Sequence, residues 1–142
     1  MDKTIAIGVQ SFAKIREEKY FYIDKTDFIH EWWENGDSVT LVARPRRFGK
    51  TLNMSMIEAF FSVEYAGRGD LFEGLSIWKE EKFRTLQGTY PVIFLSFAEI
   101  KELDYSSAKM KIYQLLTDLY VKHSYLLEDE EYQKKLYEEF KL

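Results

Sequence analysis

Gly49, Lys50 and Thr51 stand immediately before an apolar stripe of helical period, and that order of residue types suits the holding of phosphate. In a phosphate-binding loop, a glycine lets successive backbone N–H groups point inward at phosphate oxygens. A lysine brings a mobile cation to the β- and γ-phosphates, and a threonine hydroxyl takes one Mg²⁺ coordination position. A helix starting at that point adds the positive end of its dipole. The full template asks for another glycine, four free positions, and then Gly-Lys-Ser/Thr. Here Arg44 occupies the place of the first glycine. Arginine does not adopt positive φ comfortably, but a residue before proline is biased to extended geometry, so Arg44 continues the preceding run and Pro45 fixes the turn. The candidate nucleotide-binding set is therefore Arg44, Pro45, Arg46, Arg47, Phe48, Gly49, Lys50, Thr51 and Leu52. ATP and Mg²⁺ are the expected ligands, and Thr51 is the expected metal-binding residue.

A Gly-Lys-Thr triplet alone has little specificity, so its context carries the inference. Before it runs Ser38-Val39-Thr40-Leu41-Val42-Ala43, apolar and β-branched, which reads as an interior strand of a parallel sheet. After it, Leu52, Met56, Ile57, Phe60 and Phe61 keep a helical period with no proline before Gly67. Tyr90-Pro91-Val92-Ile93-Phe94-Leu95-Ser96-Phe97 reads as a second buried strand, giving a βαβ unit over residues 39–97. Upstream, residues 5–23 fit a short strand or extended arm ending in Tyr20-Phe21-Tyr22-Ile23. Phe28, Ile29, Trp32 and Trp33 then mark a helix opened by Asp24 or Thr26 and closed at Asn35-Gly36. Residues 71–78 read as a compact connection. Ala108, Ile112, Leu115, Leu116 and Leu119 mark an amphipathic helix, and Tyr132, Leu136 and Phe140 a last, more charged one.

Bulk composition narrows the classes. At 142 residues the chain is one domain or part of one, and 46% hydrophobic with 31% charged residues suits a folded globular protein. A net charge of −4 argues against a general polyanion binder, so any anion site is local. The chain has no cysteine, which excludes disulfides and thiolate chemistry, and its two histidines are too far apart in sequence to form a helical ligand pair. Met1-Asp2-Lys3-Thr4 lacks a signal pattern and no apolar run reaches membrane-spanning length, so the expected location is the cytoplasm, without membrane attachment.

Several residues invite sharper and plainer readings together. Arg46 and Arg47 either clamp phosphate or nucleic acid, or pair with neighbouring carboxylates. Asp24-Lys25-Thr26-Asp27 looks like a guanine-reading motif but precedes the phosphate loop instead of following it, which favours a helix cap. Trp32 and Trp33 read as core before base-stacking residues, and His30 and His123 read as helix-surface residues.

The run Arg44-Pro45-Arg46-Arg47-Phe48-Gly49-Lys50-Thr51-Leu52-Asn53-Met54-Ser55-Met56 resembles the signature of the bacterial AAA-ATPase-like family. Residues 20–26, 71–75 and 90–97 resemble that family's other segments in the same order, so the resemblance covers nearly the whole chain. It implies an α/β fold of P-loop NTPase type, a three-layer αβα arrangement of which this chain is the N-terminal portion with an incomplete parallel sheet. It also implies that longer members often carry a nuclease-like domain of PD-(D/E)XK type, through which nucleic acid becomes a partner.

A hydrolytic P-loop enzyme needs an apolar strand ending in Asp or Asp-Glu to hold Mg²⁺ and orient the attacking water. The only later strand candidate ends in Ser96-Phe97-Ala98-Glu99, where Glu99 reads as a solvated loop residue. In the family the acidic strand comes later, so residues 1–142 are expected to be an ATPase-like domain truncated before it, with no catalytic residue of their own and ATPase activity only in a longer chain. Two functions follow as expectations: an ATP-binding P-loop module, or a non-catalytic interaction or nucleic-acid-associated module with a degenerate loop. An incomplete sheet also predicts self-association through an unpaired edge.

Overall fold

The computed structural model describes residues 3–43, 45 and 49–128. The chain divides into two compact units, residues 1–92 and 93–142.

The first unit is built on aromatic packing between short helices. α1 (Phe12–Glu17) starts where the Ser11 hydroxyl accepts a hydrogen bond from Lys14 N–H, a standard way of satisfying an orphan donor of the first turn. α2 (Asp27–Asn35) ends at Gly36 in the left-handed conformation, as the Asn35-Gly36 pair predicts. α3 (Lys50–Phe61) turns Met56, Ala59, Phe60 and Phe61 fully inward, with Leu52 and Ile57 half-buried, which is the stripe expected from the sequence. Two 3₁₀ turns, Gly69–Phe72 and Ser76–Lys79, and α4 (Glu81–Leu86) complete the core with Leu71, Phe72, Leu75, Ile77 and Phe83. Phe72 sits at its centre, with ring centroids 5.0 Å from Phe12, 5.2 Å from Phe60 and 6.0 Å from Trp78. Arg16 fastens α1 to the first 3₁₀ turn by donating to the Leu71 and Glu73 carbonyls, both at 2.7 Å.

The C-terminal end of α3 is satisfied by a single returning segment. Gln87 Nε2 donates to the Ala59 carbonyl, Gly88 N–H to Phe60, and Tyr90 N–H to Phe61, while Val63 N–H donates back to the Tyr90 carbonyl. Carbonyls that a helix end leaves without partners are thereby covered. Gly88 is required there, because it has φ +70° and a Cβ would lie 2.6 Å from Ala66 Cα.

In the second unit, α5 (Tyr105–Lys122) is capped by Asp104, whose carboxylate accepts from Ser107 N–H at 2.8 Å. Ala108, Ile112, Leu115 and Leu119 are half-buried along one face as expected, whereas Leu116 is exposed. A cleft of about 410 Å³ runs beside this helix, lined by Ile93, Leu95, Leu116, Leu119, Leu126 and His123 among others. The last expected helix, marked by Tyr132, Leu136 and Phe140, lies outside the described residues.

The expected three-layer αβα arrangement with a parallel sheet is not present: among the described residues the fold is helical, with no strand and one isolated parallel bridge, Ser62 to Tyr90. Residues 39–43 are not an interior strand, since Val39 and Leu41 are 87% and 88% exposed. Residues 90–97 are not a buried strand either, with Ile93 64% and Phe97 57% exposed. β-branched and apolar runs favour extended backbone, but a strand exists only when a neighbouring chain segment supplies the ladder, and here Tyr90 alone makes such a contact. Neither the expected incomplete sheet nor its unpaired edge is therefore present among the described residues.

Candidate functional site

α3 begins in solvent and ends in the core. Gly49, Lys50 and Thr51 are exposed, Leu52 is half-buried, and from Met56 onward the helix is packed. This gradient follows from the sequence, because the apolar stripe starts only at Leu52. Ser55 helps fix the post by accepting from Phe12 N–H at 3.0 Å, and Tyr22 donates its hydroxyl to Met56 Sδ at 3.2 Å. Burial pushes the Tyr22 phenol up to about 12, so it remains a donor throughout the physiological range.

Gly49 occupies the N-cap position with φ +77°, a conformation that L side chains adopt only at a cost, although space around it is open. No side chain caps the helix, and its first turn contains no acidic residue. The other described α-helices each have one or the other: Ser11 caps α1, Asp104 caps α5, and Asp27 and Glu81 lie in the first turns of α2 and α4. The first internal hydrogen bond of α3 runs from Asn53 N–H to the Gly49 carbonyl at 2.9 Å, which leaves the N–H groups of Lys50, Thr51 and Leu52 without helical acceptors. Lys50 makes no ion pair with any described residue. Among the described residues, three N–H groups without helical acceptors, a helix dipole without a nearby carboxylate and an ammonium without an ion pair thus meet at one exposed end, an arrangement that attracts an anion.

Of the residues expected to bind nucleotide, Gly49, Lys50, Thr51 and Leu52 are brought together here, and Pro45 is exposed. Arg44, Arg46, Arg47 and Phe48 lie outside the described residues. The approach to the loop is anchored to α2 by Trp32, whose indole N–H donates to Thr40 Oγ1 at 2.9 Å. That tether serves in place of the paired strand expected there.

Asp24-Lys25-Thr26-Asp27 is a structural clasp. Asp24 Oδ1 accepts from Thr26 N–H at 2.9 Å and from its hydroxyl at 2.6 Å, and Oδ2 accepts from Ser76 N–H at 2.7 Å. Thr26 is fully buried and its Oγ1 accepts from Ile77 N–H, while Ser76 donates to Asp27. Burial by itself would raise the pKa of Asp24, but the hydrogen bonds from Thr26 and Ser76 outweigh it and hold the carboxyl below its ordinary value. No side chain caps α2, so in place of the expected helix cap the segment joins the entry of α2 to Ser76 and Ile77. The bond from Ser76 to Asp24 joins residues 52 apart and has no local sequence signal.

Trp32 packs half-buried against the core, whereas Trp33 departs from the core reading and is exposed at its edge; their ring centroids lie 5.6 Å and 5.8 Å from Phe61. His30 is half-exposed and 3.2 Å from Glu80. His123 departs from the surface reading, being 6% exposed with no hydrogen-bond partner at Nε2. It follows the end of α5, where the Leu126 and Leu127 turn closes over it, a placement that helical periodicity does not address. No helix among the described residues is long and apolar enough to cross a membrane.

Known proteins resemble the chain over most of its length. The profile of the family described as "Predicted AAA-ATPase" matches residues 6–141. An uncharacterized protein encoded in the vnfD 5′ region of Azotobacter chroococcum mcd 1 is 38% identical over 116 residues, covering 81% of this chain. The aligned region is 21% of that relative's length, so this chain spans about a fifth of the curated relative it matches. No solved structure matches. With the profile running over almost every residue, the chain belongs to the predicted AAA-ATPase family.

Proposed function

We propose that the chain is an ATP-binding module that holds the nucleotide phosphates against the first turn of α3. The observation that carries this reading is the N-terminus of α3, with no side-chain cap and no first-turn acid, Gly49 in the left-handed conformation, and Lys50 without an ion pair to any described residue. The description of the family supports the same reading. In it, the N–H groups of Lys50, Thr51 and Leu52 donate to phosphate oxygens and Lys50 neutralises charge on the β- and γ-phosphates. Leu52 roots the turn in the core, and the sequence offers Arg44, Pro45, Arg46, Arg47 and Phe48 as the further nucleotide contacts of this proposal.

Magnesium fits only in company with phosphate. Among the described residues no cluster of three or more His, Asp or Glu could hold a metal alone, so Thr51 supplies one hydroxyl oxygen and the nucleotide and water supply the rest. Bound Mg²⁺ would neutralise phosphate charge. Hydrolysis is proposed only for a longer protein, because Glu99 is exposed and no carboxylate stands in the first turn of α3. Where such a protein carries a linked nuclease-like domain, nucleic acid would be its partner. An ATP-dependent role places the chain in the cytoplasm, where that nucleotide is supplied.

Calorimetric titration of ATP and Mg²⁺ into the 142-residue chain tests the reading. Saturable binding with competition by ADP is expected; no binding at millimolar nucleotide overturns it. The alternative, a non-catalytic module contacting nucleic acid, draws on Arg44 at the template's glycine and on the lack of a paired strand before the loop. Salt-dependent oligonucleotide binding that disappears with Arg46→Ala and Arg47→Ala, without nucleotide binding, would establish it instead.

A further inference from the structure

We draw no further inference here: the strongest candidate, the apolar cleft beside α5 where Ile93, Leu95, Leu116 and Leu119 meet the buried His123, carries nothing, because Nε2 of that histidine is closed to solvent and nothing among the described residues shows what covers the cleft.

Discussion

Thr51→Glu separates anion binding from ordinary helix stability, because the two respond in opposite directions. Thr51 is the second residue of α3, exposed, in a first turn with no acid and no side-chain cap. A carboxylate there meets the positive end of the helix dipole and should stabilise the fold by about 0.5 kcal/mol at low salt. For a domain of this size that corresponds to a rise of about 2 °C in Tm. The same carboxylate would stand roughly 5 Å from a phosphate seated on the turn. Repulsion per unit charge is then about 1 kcal/mol at the dielectric of water and ~3 kcal/mol at the effective value near a protein surface. Affinity for ATP and Mg²⁺ should therefore fall between about fivefold and about a hundredfold. Thermal denaturation followed by circular dichroism reads the first effect, and calorimetric titration the second. A variant that binds nucleotide as tightly as the parent refutes the placement of phosphate on this turn, and a variant that melts lower refutes the description of the turn as uncompensated.

Three other perturbations address the scaffold. Asp24 has a depressed pKa, so its contribution to stability is present above its ordinary value of 3.8 and disappears as pH falls through the lower folded value. Acid titration of the parent should show this loss; Asp24→Ala, expected to cost about 1–3 kcal/mol through the freed N–H groups of Thr26 and Ser76, should show a smaller acid-dependent change, and an identical profile would contradict the clasp. Gly88→Ala should cost about 2–5 kcal/mol, combining left-handed backbone strain with the clash at Ala66, whereas Gly74→Ala, at φ +78° with open space, should cost only ~1 kcal/mol. Equal urea midpoints for the two would show that the Gly88 to Ala66 approach is not tight. Phe72→Ala should lose about 3–5 kcal/mol, a large share of a domain's stability, and a loss below 1 kcal/mol in urea denaturation would displace Phe72 from the centre of the core.

The helices were readable where a local period met a local stop signal. Leu52, Met56, Phe60 and Phe61 repeat on one face, and Asn35-Gly36 ends α2 through a glycine that takes positive φ at little cost. α1 falls inside the expected arm, although Ser11 followed by Phe12 and Ile15 is a usable signal for a capped helix. Strands failed for a different reason. Residues 39–43 and 92–97 have the composition of strands, but pairing is a property of two segments, and composition says nothing of whether a second one is aligned. The 3₁₀ turns around Phe72 and Ile77 have no period long enough to register, so a segment read as a connection proved to be the middle of the core. At the candidate site, Gly49, Lys50 and Thr51 were identifiable from residue type and order. That α3, among the described α-helices, is the one lacking both a cap and a first-turn acid is visible only beside the others.

The most direct measurement is an amide-resolved NMR titration of the ¹⁵N-labelled chain with ATP and Mg²⁺. Saturable shifts at the N–H groups of Gly49, Lys50, Thr51 and Leu52, all at the start of α3, are predicted, and they should be lost in Lys50→Ala while the amides of the Phe72 core keep their positions. Shifts that are absent from this turn, or that persist unchanged in Lys50→Ala, would contradict the account.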